Sequence, residues 1–204
     1  MPRNWKNIYI DDAIHHITGT IHQWQRILLY PRITDIFYEQ LIEMAENWDI
    51  NLLGYVIMPE HFHLLARSDT RNNIEKFIRG LRRSISGKAK NIIEENNEEF
   101  QNYCLWNNIE LYKFYTKTAG KSEFRFWKEK PRVFPIDREK DILRILKYMH
   151  HNPIRRGLVE NLDQWKHSSY RHYEFGDKCI VNVGLDSPPR QDVAEKTLHP
   201  DAQI

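Results

Sequence analysis

The stretch "YVIMPEHFHLLARS" (residues 55–68) sets two histidines two positions apart at the end of an apolar run. On a strand successive side chains alternate, so His61 and His63 face one way while Phe62 and Leu64 face the other. Two imidazoles one strand repeat apart can chelate a single divalent ion. The same spacing also serves two satisfied or surface histidines on an edge strand, the commoner use in a chain with ten histidines. A second pair stands late in the chain, in "ILKYMHHNP" (145–153). Tyr148 and Asn152 are four apart and share one face of a helix. A tyrosine can act as a covalent nucleophile, and an amide oxygen one turn away can complete a metal site. A core tyrosine and a helix-ending asparagine before Pro153 are the plainer readings. His150 and His151 are further candidates as ligands or phosphate contacts, or simply solvated helix-end residues.

Positive charge gathers in two places. Lys76, Arg79, Arg83 and Lys90, extended by Arg82 and Lys88, form a stripe on the helix expected over 72–95. A polyanion lying along it would be held by phosphate charge, with affinity falling steeply in salt; a solvated helix face is the alternative. In "PIRRGLVENLDQWKHSSYRHY", Arg155, Arg156, Lys166, His167, Arg171 and His172 interleave with Trp165 and Tyr170. That mixture suits single-stranded nucleic acid, whose bases stack on rings while phosphates meet cations. Trp165 can equally be a core anchor.

Several elements must position these groups. "HHITGTIHQW" (15–24) alternates as a strand, with Ile17, Gly19 and Ile21 on one face. Ile33, Ile36, Phe37, Leu41 and Met44 repeat at helical spacing after Pro31. "INLLGYVIM" (50–58) reads as a buried strand, and residues 61–68 as its antiparallel neighbour beyond a tight break at Pro59–Glu60. Ile74, Phe77, Ile78, Leu81 and Ile85 make the apolar stripe of the next helix. Residues 96–120 show no clear period before a turn at Ala119–Gly120. "EFRFW" and "RVFPI" look like short strands. A helix opens with Asp137 as N-cap and stops at Pro153. A last strand is expected at "CIVNV" (179–183). We expect one domain over 1–184 and a mobile tail over 185–204.

Composition limits the classes of function. The 30 basic and 28 acidic residues leave a net charge of +2, too even to indicate nucleic acid by itself. Cys104 and Cys179 are isolated, which points to a reduced, cytoplasmic protein. No signal peptide or membrane span is expected, and there is no phosphate-binding G-x-x-x-x-G-K.

The order "YVIMPEHFHLL", basic helix, "FRFWKEKPRVFPI", then "LKYMHHNPIRRGLVENLDQWKHSSYRHY" resembles the single-tyrosine transposases of the HUH nuclease superfamily. It is most similar to the IS200-like and REP-associated tyrosine transposases, over residues 10–184. The resemblance implies an α+β fold in which a central antiparallel sheet of ferredoxin-like plan is flanked by helices. It implies that His61 and His63 bind Mg²⁺ or Mn²⁺, with Asn152 where relatives carry a longer-reaching glutamine, and that Tyr148 is the nucleophile. It implies a substrate of single-stranded or hairpin DNA, bound through Lys76, Arg79, Arg82, Arg83, Lys90, Arg155 and Arg156. Cleavage would pass through a 5′-phosphotyrosine, in a protein that is a monomer or homodimer. Glu60 replaces an asparagine common before the first histidine, and "FWKEKPRVFPI" aligns only loosely. A free phenol ionises near pH 10, so the attack needs help; the imidazoles ligate only when deprotonated, so activity should fall below about pH 6. Two other classes fit the same residues: a domesticated binding module that holds hairpins without cutting, and a hydrolase that activates water.

Overall fold

Alternation along residues 14–20 decides which side chains meet which layer of helices. In the computed structural model, which describes residues 6–184 apart from 119, 129 and 137, β1 (Ile14–Thr20) lies inside a four-stranded sheet. Its companions are β2 (Asn51–Ile57), β3 (His61–Arg67) and β6 (Arg132–Ile136), all paired antiparallel in the order β2-β3-β1-β6. α1 (Pro31–Asn47) connects β1 to β2, and α2 (Arg71–Glu95) follows β3. This is the split β-α-β plan of ferredoxin-like domains. α3 (Glu98–Trp106) and a separate hairpin of β4 (Tyr115–Thr118) and β5 (Lys121–Phe124) come before β6. α4 (Glu139–His150), α5 (Asn152–Arg155) and α6 (Tyr170–Phe175) come after it.

Each sheet face has its own core. Ile17, Tyr55, Ile57, Phe62 and Leu64 pack with Phe37 and Leu41 of α1 and with Phe77, Leu81 and Ile85 of α2. Ile14, Leu53, Val56 and Leu65 pack with Ile142, Ile145, Leu146 and Met149 of α4 and with Trp165. The imidazoles of β3 have the parity of Leu65, so they face the α4 layer. Glycine permits two close approaches. At Gly19 a Cβ would lie 2.2 Å from the ring of Phe62, and at Gly54 it would lie 2.6 Å from Leu146 Cδ1. β2 carries a bulge between Leu52 and Gly54, which puts Leu53 and Gly54 together on the α4 side.

Capping groups set the helix ends. Thr70 Oγ1 accepts from Asn73 N at 3.3 Å to open α2, which closes at Asn96 in the left-handed region. Asn97 then caps α3 through Phe100 N at 2.9 Å. The open edge of β2 is covered by the chain after α5: Ile57 N donates to His167 O at 2.8 Å and Ser169 N to Tyr55 O at 3.0 Å.

Several expectations change here. Residues 179–183 do not form a strand: Val181 is buried in the core, but only Gly184 N, donating to Leu52 O, ties this stretch to β2 among the backbone bonds described. One bond makes no ladder. The chain does not stop being helical at Pro153 either. Proline lies within the first turn of α5, where its missing N–H costs nothing. Arg138 occupies the N-cap of α4; Asp137, expected there, lies outside the described residues, as does the expected tail over 185–204. Residues 96–118 hold α3 and β4, which have no period to announce them. Both cysteines are free thiols, and among the described residues no helix is long and apolar enough to cross a membrane.

Candidate active site

The sheet's α4 face brings together residues from both ends of the described chain. His61 and His63 project from β3 with ring centroids 5.0 Å apart and planes nearly perpendicular. Tyr148, on the last turn of α4, presents its ring edge-on to His63 at 5.9 Å. Arg155 of α5 lies over that phenol, its Cζ 4.9 Å from the ring centroid. Tyr148 is half-buried, while His61 and His63 are buried.

Each imidazole is oriented from behind. Glu60 is buried, and its Oε1 accepts from His61 Nδ1 at 3.2 Å and from Arg156 Nη2 at 2.5 Å. Burial pushes the Glu60 carboxyl upward, but the hydrogen bonds from His61 and Arg156 prevail and hold it down at about 2. An ionised carboxylate only accepts, so His61 carries a proton on Nδ1, which directs Nε2 to be the ring's ligating nitrogen when a cation binds. His63 Nδ1 lies 3.1 Å from His16 Nε2 and 3.0 Å from Thr18 Oγ1. His63 Nε2 is buried without a hydrogen-bond partner. Burial first, then the neighbouring His16 and His61, holds the His63 imidazole well below its ordinary range, so it is neutral. With its proton on Nδ1, donated to His16 or Thr18, its Nε2 is a lone pair.

Asn152 has a more modest place. Its Nδ2 donates to Tyr148 O at 3.1 Å and to Met149 O at 3.3 Å, closing the end of α4. Both partners are carbonyls, which fixes the amide's orientation and leaves Oδ1 as its acceptor atom. Among the described residues no group of three or more His, Cys, Asp or Glu surrounds one point. A cation here would therefore rest on the His61 and His63 Nε2 atoms, with an amide, water or substrate oxygen completing the set. The unpartnered His63 Nε2 fits that role.

The model of the family described as "Transposase IS200 like" matches residues 11–129, more than half of the chain. The chain belongs to the IS200-like transposase family. This match contains both histidines of β3 and ends before Tyr148. A Haemophilus influenzae protein named as a REP-associated tyrosine transposase is 23% identical to this IS200-like chain over 168 residues. That alignment covers 82% of the chain and 85% of the relative. The solved structure of a REP-associated tyrosine transposase bound to a REP hairpin superposes with a TM-score of 0.59 at 16% identity, covering 96% of this chain and 99% of that one. The α+β fold expected from the sequence is the fold found.

The basic residues expected to hold DNA divide into two sets in this IS200-like chain. Arg155 and Arg156 line a cleft of about 820 Å³ with Trp24, Arg26, Glu60, Gly157 and Leu158. The α2 residues lie on the Phe62 side of the sheet, behind the imidazoles. Arg79 and Arg83 are exposed there. Lys76 Nζ sits 4.9 Å over Trp48 and Lys90 pairs with Glu94 at 3.5 Å. Arg82 packs its guanidinium 5.7 Å from the Trp127 ring and donates to Lys128 O; burial lowers it to about 10. Later in the chain Trp165 is a core anchor whose Nε1 donates to Ile57 O. His150 is buried against Ser169 Oγ at 3.0 Å, His167 meets Tyr38 Oη, and Arg171 pairs with Asp177. His16, Thr18 and Trp24 were missed from the sequence; only the strand register, with Thr18 opposite His63, could have pointed to the first two.

Proposed function

We propose that this chain nicks and rejoins single-stranded or hairpin DNA through a covalent link to Tyr148. The observation that carries this reading is the pairing of a half-buried phenol with a neutral, buried imidazole whose Nε2 is buried without a hydrogen-bond partner. The Tyr148 oxygen attacks the scissile phosphorus as its proton leaves. The bond from phosphorus to the 3′ oxygen breaks, and that oxygen takes up a proton. The products are a 5′-phosphotyrosine and a free 3′-hydroxyl, which can later attack the link and restore a strand. One phosphodiester replaces another, so no nucleotide cofactor is needed.

Side chains do the positioning. His61 and His63, with the Asn152 amide oxygen, would hold Mg²⁺ or Mn²⁺. Such a cation supplies charge neutralisation and alignment at the scissile phosphate. Arg155, stacked on Tyr148, holds the ring in place and brings positive charge to the same phosphate. Arg156 reaches the cleft while fixing Glu60, and so His61. Exposed Arg79 and Arg83, with Lys76, Arg82 and Lys90 along α2, would meet phosphates only where longer DNA passes round to the other layer. The relative bound to a REP hairpin supports hairpin DNA as the substrate class. One chain supplies both Tyr148 and the histidines, which supports reading 1–184 as the acting domain, in a monomer or a homodimer.

The test is incubation with end-labelled hairpin DNA and Mn²⁺, followed by a denaturing gel. A protein–DNA band that is absent in Tyr148→Phe supports the proposal. Cleavage without an adduct would instead indicate activated water, and a gel shift without cleavage a binding module.

A further inference from the structure

Beyond β1 the chain makes a tight turn at His22–Trp24. Gln23 and Trp24 both sit in the left-handed region, with φ of 50° and 59°. Two adjacent non-glycine residues there are sterically costly, and such strain persists only where the surroundings hold it. The holding groups are visible. Trp24 N donates to Ile21 O, and the buried Gln25 accepts from Glu110 N through Oε1 at 2.7 Å. The turn directs the indole outward, 52% exposed and outside both cores.

Its surroundings are those of a ligand rather than a core. The indole stands edge-on to His61 at 6.1 Å. Lys128 Nζ lies 5.8 Å from the ring centroid and Arg156 Cζ 6.0 Å. Arg26, Arg155 and Arg156 share the cleft with it, and all three are exposed. A flat apolar face beside the candidate catalytic histidines, ringed by cations, matches what an unpaired nucleotide presents: a base to stack and phosphates to neutralise.

We infer that Trp24 is a stacking platform for an unpaired base next to the scissile phosphate, with Arg26, Lys128 and Arg156 taking the flanking phosphates. This site makes the enzyme demand single-stranded DNA at that point, because a base inside a duplex has no free face to offer. The inference rests on the proposed strand-cutting function, yet its test does not depend on cutting.

The full chain is titrated in EDTA with fluorescein-labelled oligo(dT) and, separately, with a blunt duplex. Trp24→Ala and Trp24→Gly are expected to weaken oligo(dT) binding about tenfold, in line with the loss of one stacked base, and to leave duplex binding unchanged. Trp24→Phe should retain most of the affinity while losing the quenching of indole fluorescence that oligo(dT) causes in the wild type. Trp24→Gly, which relieves the left-handed strain, should melt no lower than the wild type, whereas a purely structural tryptophan would lower Tm when removed. Equal losses on oligo(dT) and duplex, or no loss on either, would overturn the inference. If this pattern holds but no adduct forms in the gel assay, the cutting proposal fails and the stacking site stands. If the adduct forms and the pattern is absent, only the stacking site is lost.

Discussion

The ring of Tyr148, on a helix late in the chain, stands edge-on to that of His63 in the central sheet, with centroids 5.9 Å apart. Gly54 helps make this possible. Leu146, two residues before Tyr148, packs where a Cβ on β2 would be, so α4 settles close against the strand beside the histidines.

The carboxylate behind His61 should tune metal binding. Glu60→Ala removes the acceptor that fixes the His61 proton on Nδ1, and Mn²⁺ affinity is expected to fall roughly tenfold or more. Glu60→Gln keeps an acceptor oxygen and should fall less. Isothermal titration with Mn²⁺ measures both, and equal affinities across the three proteins would contradict the role given to Glu60.

His16 should act in the same way on His63, from the neighbouring strand. Its Nε2 lies 3.1 Å from His63 Nδ1, so His16→Phe, which keeps the volume and removes the partner, should weaken Mn²⁺ binding. Thr18 can still accept from Nδ1, so the loss should be smaller than for Glu60→Ala. Combining His16→Phe with Thr18→Val should remove both partners and exceed either change alone.

The two basic regions should separate kinetically. Arg79→Ala with Arg83→Ala, on the far side of the sheet, should reduce affinity for long hairpins and flatten its salt dependence. The rate of adduct formation at saturating DNA should be unchanged. Arg155→Ala, which strips the cation from Tyr148, should slow that rate even at saturation. Single-turnover kinetics across a salt series distinguishes them.

Much of this arrangement could be read from residue spacing, and the rest required partners that spacing does not reveal. The alternation at 61–64 put His61 and His63 opposite Phe62, and the apolar stripe of Ile74, Phe77, Ile78, Leu81 and Ile85 became the buried face of α2. Tyr148 and Asn152 are joined by a hydrogen bond even though α4 and α5 are separate helices. What stayed hidden depends on register or on single anchors. His16 and Thr18 become partners of His63 only once β1 pairs with β3. Trp24 owes its exposure to a strained turn held by Gln25. Charge periodicity marked the exposed side of α2, with Arg79 and Arg83 on it, but periodicity does not report that this helix lies on the layer opposite the imidazoles.

Buried histidines should make stability depend on pH. His15 is fully buried, its Nε2 accepting from Ile10 N and its Nδ1 donating to Ala13 O. Burial, only partly opposed by the Ala13 hydrogen bond, lowers it to about 4, below its value of about 6.5 in the unfolded chain. The unfolded state therefore binds more protons between these values. Stability is complete above about pH 6.5 and is lost as pH falls toward 4, by up to about 3 kcal/mol from this residue. Thermal melts across that range should show a slope that His15→Gln reduces; an unchanged slope would contradict the assignment.

The central claim is that the DNA strand is carried on one particular phenol. Trapping the adduct with Mn²⁺ and hairpin DNA, digesting both components and sequencing the nucleotide-bearing peptide by mass spectrometry tests it directly. The account predicts the modification on Tyr148 and on none of the other nine of the ten tyrosines. An adduct on another residue, or undiminished cutting by Tyr148→Phe, would contradict it.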